Sequence, residues 1–126
     1  MKFNRLDHLV LTVADIERTC AFYHGILGFE VIRFGVGRIA LGFGNQKINL
    51  HQVGNEFDPK ADRPTAGSGD LCFIADTAIA DVIRELNAAG VPIEQGPVDR
   101  TGAIGQIRSV YLRDPDQNLL EISNYV

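Results

Sequence analysis

The chain has 126 residues, of which 45% are hydrophobic and 22% charged, and this predicts a single globular domain with a core of its own. The formal net charge is −4 and no basic stripe is present, which argues against nucleic acid and anionic membranes as partners. No apolar run is long enough to span a membrane, and the first residues lack the apolar core of a signal peptide. We therefore expect a cytoplasmic protein.

The first half of the chain predicts one strand, one helix and three further strands. Alternating polar and apolar residues over 6–13 predict the first strand. Asp15 is placed to cap the following helix, which ends near Gly28. Three strands separated by glycine-containing turns follow, over residues 29–34, 38–43 and 47–53. Cys20 and Cys72 fall within predicted elements, and we expect both to be buried and unpaired.

The second half predicts the same order after a polar connecting segment. A strand over 70–75 precedes a helix that Thr77 could cap, and apolar residues at helical spacing give this helix one buried stripe. Residues 97–105 are typical of a turn-rich, flap-like stretch. The last two strands are predicted over residues 106–113 and 118–124. The whole is an α+β fold of two βαβββ modules, with module one at about 1–54, a linker at 55–69 and module two at 70–126.

Several predicted strands carry polar groups on one face and apolar groups on the other. If each sheet curls around its polar face, His8, His51, Asp70 and Glu121 converge. Two imidazoles and one or two carboxylates are suitable ligands for a divalent metal ion. The four residues lie far apart in the sequence and form no local metal-binding motif.

Each of these residues also has a structural interpretation without a metal. His8 could be a half-buried strand histidine with a hydrogen bond. His51 could be a ligand or a base that lines a cavity. Asp70 could cap the turn that precedes it. Glu121 lies in an apolar strand, where its charge needs a partner.

Two segments of the chain carry a recognisable pattern. Residues 7–31 read DHLVLTVADIERTCAFYHGILGFEV, and residues 111–125 read YLRDPDQNLLEISNY. They resemble the opening H-x-x-L…FY…LGF and closing DPDG-N-x-x-E patterns of the vicinal oxygen chelate superfamily, the glyoxalase / bleomycin-resistance / extradiol-dioxygenase group. Residues 46–54 and 96–105 further resemble a subgroup of small one-domain glyoxalase-domain proteins.

The resemblance implies a cup-shaped mixed sheet made by paired modules, in which a divalent cation chelates vicinal oxygens of a substrate. His8 matches the first-strand histidine ligand and Glu121 the last-strand glutamate ligand. Asn49 stands where glyoxalases have glutamate or glutamine, with His51 two residues further on. Asp70 stands where most metal-binding members have histidine. We therefore expect a Zn, Ni, Mn or Fe ion held by His8, His51, Asp70 and Glu121, in a homodimer.

The preferred function is a divalent-metal-dependent lyase or isomerase of the glyoxalase type, acting on a small oxygenated metabolite or thiol conjugate. The metal would stabilise an enediolate-like anion, and Glu121 or His51 would move the proton. The residues expected to contact the substrate are Tyr111, Ser109, Arg100, Thr101 and Asn49.

Two other functions are compatible with the sequence. His8, His51 and Glu121 together would make the two-histidine, one-carboxylate set of a non-haem Fe(II) extradiol-type dioxygenase. A drug-resistance protein that has lost the metal would instead sequester a small molecule in the cup. A bound metal in the purified protein would separate an enzyme from a sequestering protein.

Overall fold

Each half of the chain folds around its own four-stranded mixed sheet. The computed structural model describes all residues, 1–126, and divides into two units, Met1–Ala66 and Gly67–Val126. These units are called the first and the second module below. Each contains the order β-α-β-β-β, so the predicted α+β fold of two βαβββ modules is confirmed. Neither helix has the length and apolar character needed to cross a bilayer.

The first module places one helix against one face of its sheet. Its elements are β1 (His8–Val13), α1 (Ile16–Gly25), β2 (Glu30–Phe34), β3 (Arg38–Phe43) and β4 (Gln46–Gln52). The strand order is β1-β4-β3-β2, with β1 parallel to β4 and the other pairs antiparallel. The buried core includes Leu11, Val13, Tyr23, Ile48 and Leu50. Because side chains alternate along a strand, burying these residues leaves the intervening polar side chains on the opposite face.

The second module repeats this plan. Its elements are β5 (Asp70–Ile74), α2 (Ile79–Ala88), β6 (Gln95–Thr101), β7 (Gln106–Arg113) and β8 (Leu119–Tyr125). The strand order is β5-β8-β7-β6, with β5 parallel to β8. Val82 and Leu86 of α2 are buried together with Val110, Leu112 and Leu120 of the sheet.

The expectation of a flap over residues 97–105 was wrong for most of that segment. Residues 95–101 form the edge strand β6, which pairs antiparallel with β7. The register shifts between Gln95 and Val98, on either side of Pro97. A proline is tolerated at such an irregular position on an edge strand because no ladder hydrogen bond is required of it. Composition predicted a turn here because it does not reveal that a neighbouring strand, β7, is available for pairing.

Two local expectations in the second module were also wrong. Thr77 does not cap α2: the N-cap residue is Ala78, which has no side-chain cap hydrogen bond. The Ile79 N–H donates instead to the Asn124 side chain, with an N···Oδ1 distance of 2.7 Å.

The cysteines differ in exposure. Cys72 is exposed, whereas Cys20 is half-buried; both are free thiols. By contrast, Asp15 caps α1 as predicted, accepting from the Arg18 N–H at 3.2 Å.

Candidate functional site

The strand registers relate the two modules residue by residue. In the first module, Asn49 pairs with the residue two positions after His8. In the second module, Glu121 pairs with the residue two positions after Asp70. His8 is therefore equivalent to Asp70, and Asn49 is equivalent to Glu121. Each module thus presents two potential donor side chains at the same places on one face of its sheet. This is the face opposite the one that packs against the helix, and it is called the open face below.

His8 is exposed and is oriented by a neighbouring carboxylate. Its Nδ1 lies 2.8 Å from Asp7 Oδ2, and this hydrogen bond is the main cause of a lowered pKa of the Asp7 carboxyl. An Nδ1–H bonded to a carboxylate leaves the Nε2 lone pair for a ligand, which is the arrangement usual for metal-binding histidines. The contact therefore fits the role predicted for His8.

His51 lies on the same face as His8 but at the other end of the strands. It pairs with Thr12, four residues beyond His8, which separates the two backbones by about 13 Å along the strand direction. Ligand atoms of one ion must lie within about 4 Å of each other, so the structure does not bring His8 and His51 together around a metal. The His51 side chain is 3% exposed. This burial, reinforced by the Arg38 charge, lowers its pKa.

Asn49 lies between these two histidines on the face. It is 5% exposed, and its Oδ1 has no hydrogen-bond partner. A buried carbonyl oxygen without a partner is unfavourable by about 1–3 kcal/mol. Its orphaned oxygen therefore indicates a place where a ligand group can donate a hydrogen bond.

Sequence reasoning missed Arg38, which lies on the same face. Ala40 pairs with Asn49, so Arg38, two residues before Ala40, points the same way. Its guanidinium carbon lies 5.1 Å from the Phe34 ring centroid and 4.5 Å from that of Phe57. The Arg38 Nε is buried without a hydrogen-bond partner. Strand alternation was a usable signal for Arg38, but the contact with Phe57 of the linker was not visible in the sequence.

A cavity of about 550 Å³ opens at the opposite end of this face. Its lining includes Asp7, Glu30, Ile32, Gly42 and Lys47. A Cβ atom at Gly42 would lie 2.7 Å from Ile32 Cδ1, so a larger residue here would crowd the lining. The volume is within the range of pockets that bind small molecules.

In the second module a short chain of hydroxyl groups holds the Glu121 carboxylate. The Ser109 hydroxyl donates to Glu121 Oε1 at 2.5 Å, and Ser123 Oγ lies 2.7 Å from Ser109 Oγ. Both serines are fully buried. The partner that the Glu121 charge was expected to need is therefore a pair of hydroxyl groups. Asp70, at the other donor position of this module, is exposed.

Three of the predicted substrate-binding residues share the open face of the second module, and one does not. Tyr111 pairs with Glu121, and Ser109 lies two residues before it. The Arg100 Nε donates to the Tyr111 hydroxyl at 3.1 Å. Thr101 follows Arg100 in the strand, so its side chain is directed to the opposite face.

The side chains on the open faces are of types that bind divalent cations, but they do not lie together as a set of ligands. Imidazole, carboxylate and amide oxygen are all suitable ligands. However, the structure contains no group of three or more His, Cys, Asp or Glu side chains that could hold a metal ion. Neither module by itself therefore supplies a complete set of ligands.

Comparison with known proteins gives the family. Residues 5–122 match the Glyoxalase/Bleomycin resistance protein/Dioxygenase superfamily, and the chain belongs to this superfamily. It is 60% identical to virulence protein STM3117 of Salmonella typhimurium over all of its residues and 88% of that protein. It is 55% identical to the glyoxalase domain-containing protein RDO1 of Mycosarcoma maydis, over 95% of this chain and 68% of that protein.

Solved structures agree with the fold. The crystal structure of the Salmonella virulence protein matches with a TM-score of 0.98 over 100% of both chains. That of lactoylglutathione lyase from Agrobacterium tumefaciens matches with a TM-score of 0.75, over 98% of this chain and 95% of that chain, at 23% identity. At that identity the likeness concerns the fold alone.

Proposed function

We propose that this chain is a divalent-metal-dependent lyase or isomerase of the glyoxalase type, acting in the cytoplasm, as a homodimer, on a small oxygenated metabolite or thiol conjugate. The observation that carries the proposal is the equivalent placement of polar donors on the open faces, His8 in the first module and Asp70 with Glu121 in the second. Membership of the superfamily supports it, since the resemblance implies a metal at the first-strand and last-strand positions.

The proposed ligands are His8, Asp70 and Glu121. Imidazole and carboxylate groups are usual ligands of catalytic zinc, which also keeps one coordination position for water or substrate. When bound, such a cation would act as a Lewis acid toward the substrate oxygens. His51 was also predicted as a ligand, but it lies at the other end of the strands from His8, and we propose it as a base only.

Residues of the chain would accept and hold the proton that the reaction removes from the substrate. Burial lowers the pKa of His51, which keeps the imidazole neutral and able to accept a proton at neutral pH. The Ser109 hydroxyl fixes the orientation of the Glu121 carboxylate. In the second module, Arg100 and Tyr111, which are hydrogen-bonded to each other, would contact a polar group of the substrate. In the first module, Asn49 is the proposed substrate contact.

Metal content of the purified protein tests this proposal. We expect near-stoichiometric metal in the unmodified chain and its loss in His8→Ala and Glu121→Ala, with a smaller loss in Asp70→Ala. His24→Ala is a matched control, because His24 is exposed on α1 and its Nδ1 lies 2.7 Å from the Phe29 carbonyl oxygen. Metal should be retained in His24→Ala and in His51→Ala. Failure to bind Fe(II), Mn(II), Ni(II) or Zn(II) after reconstitution would contradict the proposal.

A second candidate, a small-molecule-sequestering protein without a metal, is favoured by two observations. No three metal-ligating side chains are grouped, and the first module contains a cavity of about 550 Å³. The dioxygenase alternative lacks such support, since its ligand set includes both His8 and His51. Metal-free protein that still binds a small organic molecule would make the sequestering function the better account.

A further inference from the structure

We propose that Arg38 and Asn49 in the first module form a binding site for a 2-hydroxycarboxylate, with Arg38 binding the carboxylate and Asn49 Oδ1 accepting from the hydroxyl. As a statement about substrate class this inference rests on the proposed function. As a statement about binding it requires no metal, and it can be tested separately.

The first argument is the way in which Arg38 is held. Its guanidinium carbon contacts the rings of Phe34 and Phe57, at 5.1 Å and 4.5 Å from their centroids. Ring contacts of this kind engage the faces of the guanidinium and leave its in-plane N–H groups for hydrogen bonds. The Arg38 Nε is nevertheless buried without a partner. A guanidinium that is held by ring contacts, and whose buried Nε–H lacks an acceptor, suits a planar carboxylate.

The second argument is the charge around this guanidinium. Arg38 takes part in none of the ion pairs of the structure. The carboxylate of the adjacent linker, Glu56, accepts instead from the Gly54 N–H at 2.6 Å and from Lys60 at 3.4 Å. The Lys47 ammonium lies 3.7 Å from the Phe34 ring centroid, so the same ring contacts two cations. An anion that binds beside them would relieve their mutual repulsion.

The third argument is Asn49, which lies on the same face, on the strand next to that of Arg38. It is 5% exposed, and its Oδ1 has no partner. An acceptor requires a donor, which a simple carboxylate does not provide and which hydrogen phosphate provides only through its P–OH group. A hydroxyl on the carbon next to the carboxylate provides it. The pair of unsatisfied groups therefore indicates a hydroxy acid rather than an anion alone.

The test uses metal-free, isotope-labelled protein and follows the Arg38 Nε–H and Asn49 amide signals by NMR. The probes are glycolate, acetate, ethylene glycol and inorganic phosphate, each at up to about 50 mM, a range suited to ligands of so few atoms. We expect glycolate to shift both signals, acetate to bind several-fold more weakly, and ethylene glycol not to bind. Phosphate that binds as tightly as glycolate would overturn the assignment to hydroxy acids.

Three variants sharpen the test. Arg38→Met should weaken glycolate binding by about tenfold or more, because a charge-assisted bidentate contact is lost. Arg33→Met is the matched control, since Arg33 is exposed on the neighbouring strand and is directed to the other face. Asn49→Leu should retain acetate binding and abolish the preference for glycolate.

The outcomes separate this inference from the proposed function. Glycolate binding that depends on Arg38 in a protein that takes up no metal would sustain the inference and contradict the enzyme proposal. Stoichiometric metal with no response of the Arg38 signal to glycolate would support the enzyme proposal and contradict the inference. Equal loss of binding in Arg33→Met and Arg38→Met would show a general charge effect and overturn the site.

Discussion

The two modules share a backbone plan but differ in how their open faces satisfy polar groups. In the second module Glu121 is hydrogen-bonded by Ser109, which in turn contacts Ser123. The residues at the equivalent register positions of the first module are Asn49, Arg38 and His51. Here the Asn49 oxygen and the Arg38 Nε have no partners. The buried hydroxyl groups of the second face are therefore hydrogen-bonded within the module, whereas the first face has a buried acceptor and a buried cationic donor without partners.

The two faces therefore offer different chemistry on the same backbone plan. A carboxylate held by neutral hydroxyls keeps its charge and a fixed position, which suits the ligand of a cation. An arginine in contact with two aromatic rings and an amide oxygen without a partner suit recognition of a polar organic molecule.

The hairpins that join the last two strands of each module differ as strongly. In the second module the Asp114 side chain is 2% exposed. Its Oδ1 accepts from the N–H groups of Asp116 and Asn118, and its Oδ2 from the Asn118 amide. In the first module the hairpin is a tight turn at Gly44, which has a φ of 51°, followed by the exposed Asn45.

The largest predicted effect follows from this pair of turns. Asp114→Ala should lower the free energy of unfolding by about 3 kcal/mol, because it leaves several buried donors without an acceptor. Asn45→Ala, in the corresponding turn, should change it by about 0.5 kcal/mol or less. Urea unfolding followed by circular dichroism measures both. Equal losses in the two variants would show that the two hairpins contribute alike.

A smaller effect is expected at the helix N-termini. Gln52 and Asn124 occupy equivalent positions, and each side-chain oxygen accepts from the first N–H of its helix. α1 also has Asp15 as a cap, whereas Asn124 is the side chain that caps α2. Asn124→Ala should therefore cost about 1–2 kcal/mol, and Gln52→Ala about 0.5 kcal/mol.

Thermal or urea unfolding of the two single variants and of Gln52→Ala combined with Asp15→Ala tests this explanation. Removal of both caps of α1 should bring the loss close to that of Asn124→Ala. If Gln52→Ala alone costs as much as Asn124→Ala, redundancy of the α1 cap is not the reason for the difference.

The sequence predicted the elements whose signal is local. The bounds of β3 and β7 agree with the prediction, because each strand is bordered by turn residues and alternates clearly. The cap of α1 was found because Asp15 lies next to the helix. The cap of α2 was missed because Asn124 is 45 residues away from Ile79. Similarly, β6 was missed because its pairing with β7 overrides the proline-containing composition.

Prediction of the candidate site was likewise limited to features with a local signal in the sequence. Alternation placed His8, Asn49, His51 and Glu121 on open faces, which the registers confirm. The sequence could not give the register, so His8 and His51 were assigned to one metal although they lie at opposite ends of a strand pair. Arg38 was overlooked because its significance depends on Phe57, a linker residue with no predicted structure.

The smallest predicted effect concerns a position where the modules differ most simply. Arg113 pairs with Leu119, and the equivalent residue of the first module is Gly42, which borders the cavity. Arg113 donates to both Glu94 oxygens at 2.9 and 3.1 Å. These hydrogen bonds lower the pKa of the Glu94 carboxyl from its usual 4.5, so any stabilisation is present above that pH and is lost as the pH falls through the folded-state value.

Glu94→Gln should therefore be slightly less stable than the unmodified chain near pH 7, with the difference disappearing in strongly acidic solution. Because the pair is exposed, the difference should be small and should shrink further at high salt. Urea midpoints across this pH range measure it, with Glu85→Gln on the exposed side of α2 as the control. A difference that persists unchanged in acid would show that the amide is unfavourable at this position for reasons other than charge. The Arg113 side chain would then stabilise the module through packing and not through charge. The difference between Arg113 and Gly42 at this position would be one of side-chain volume.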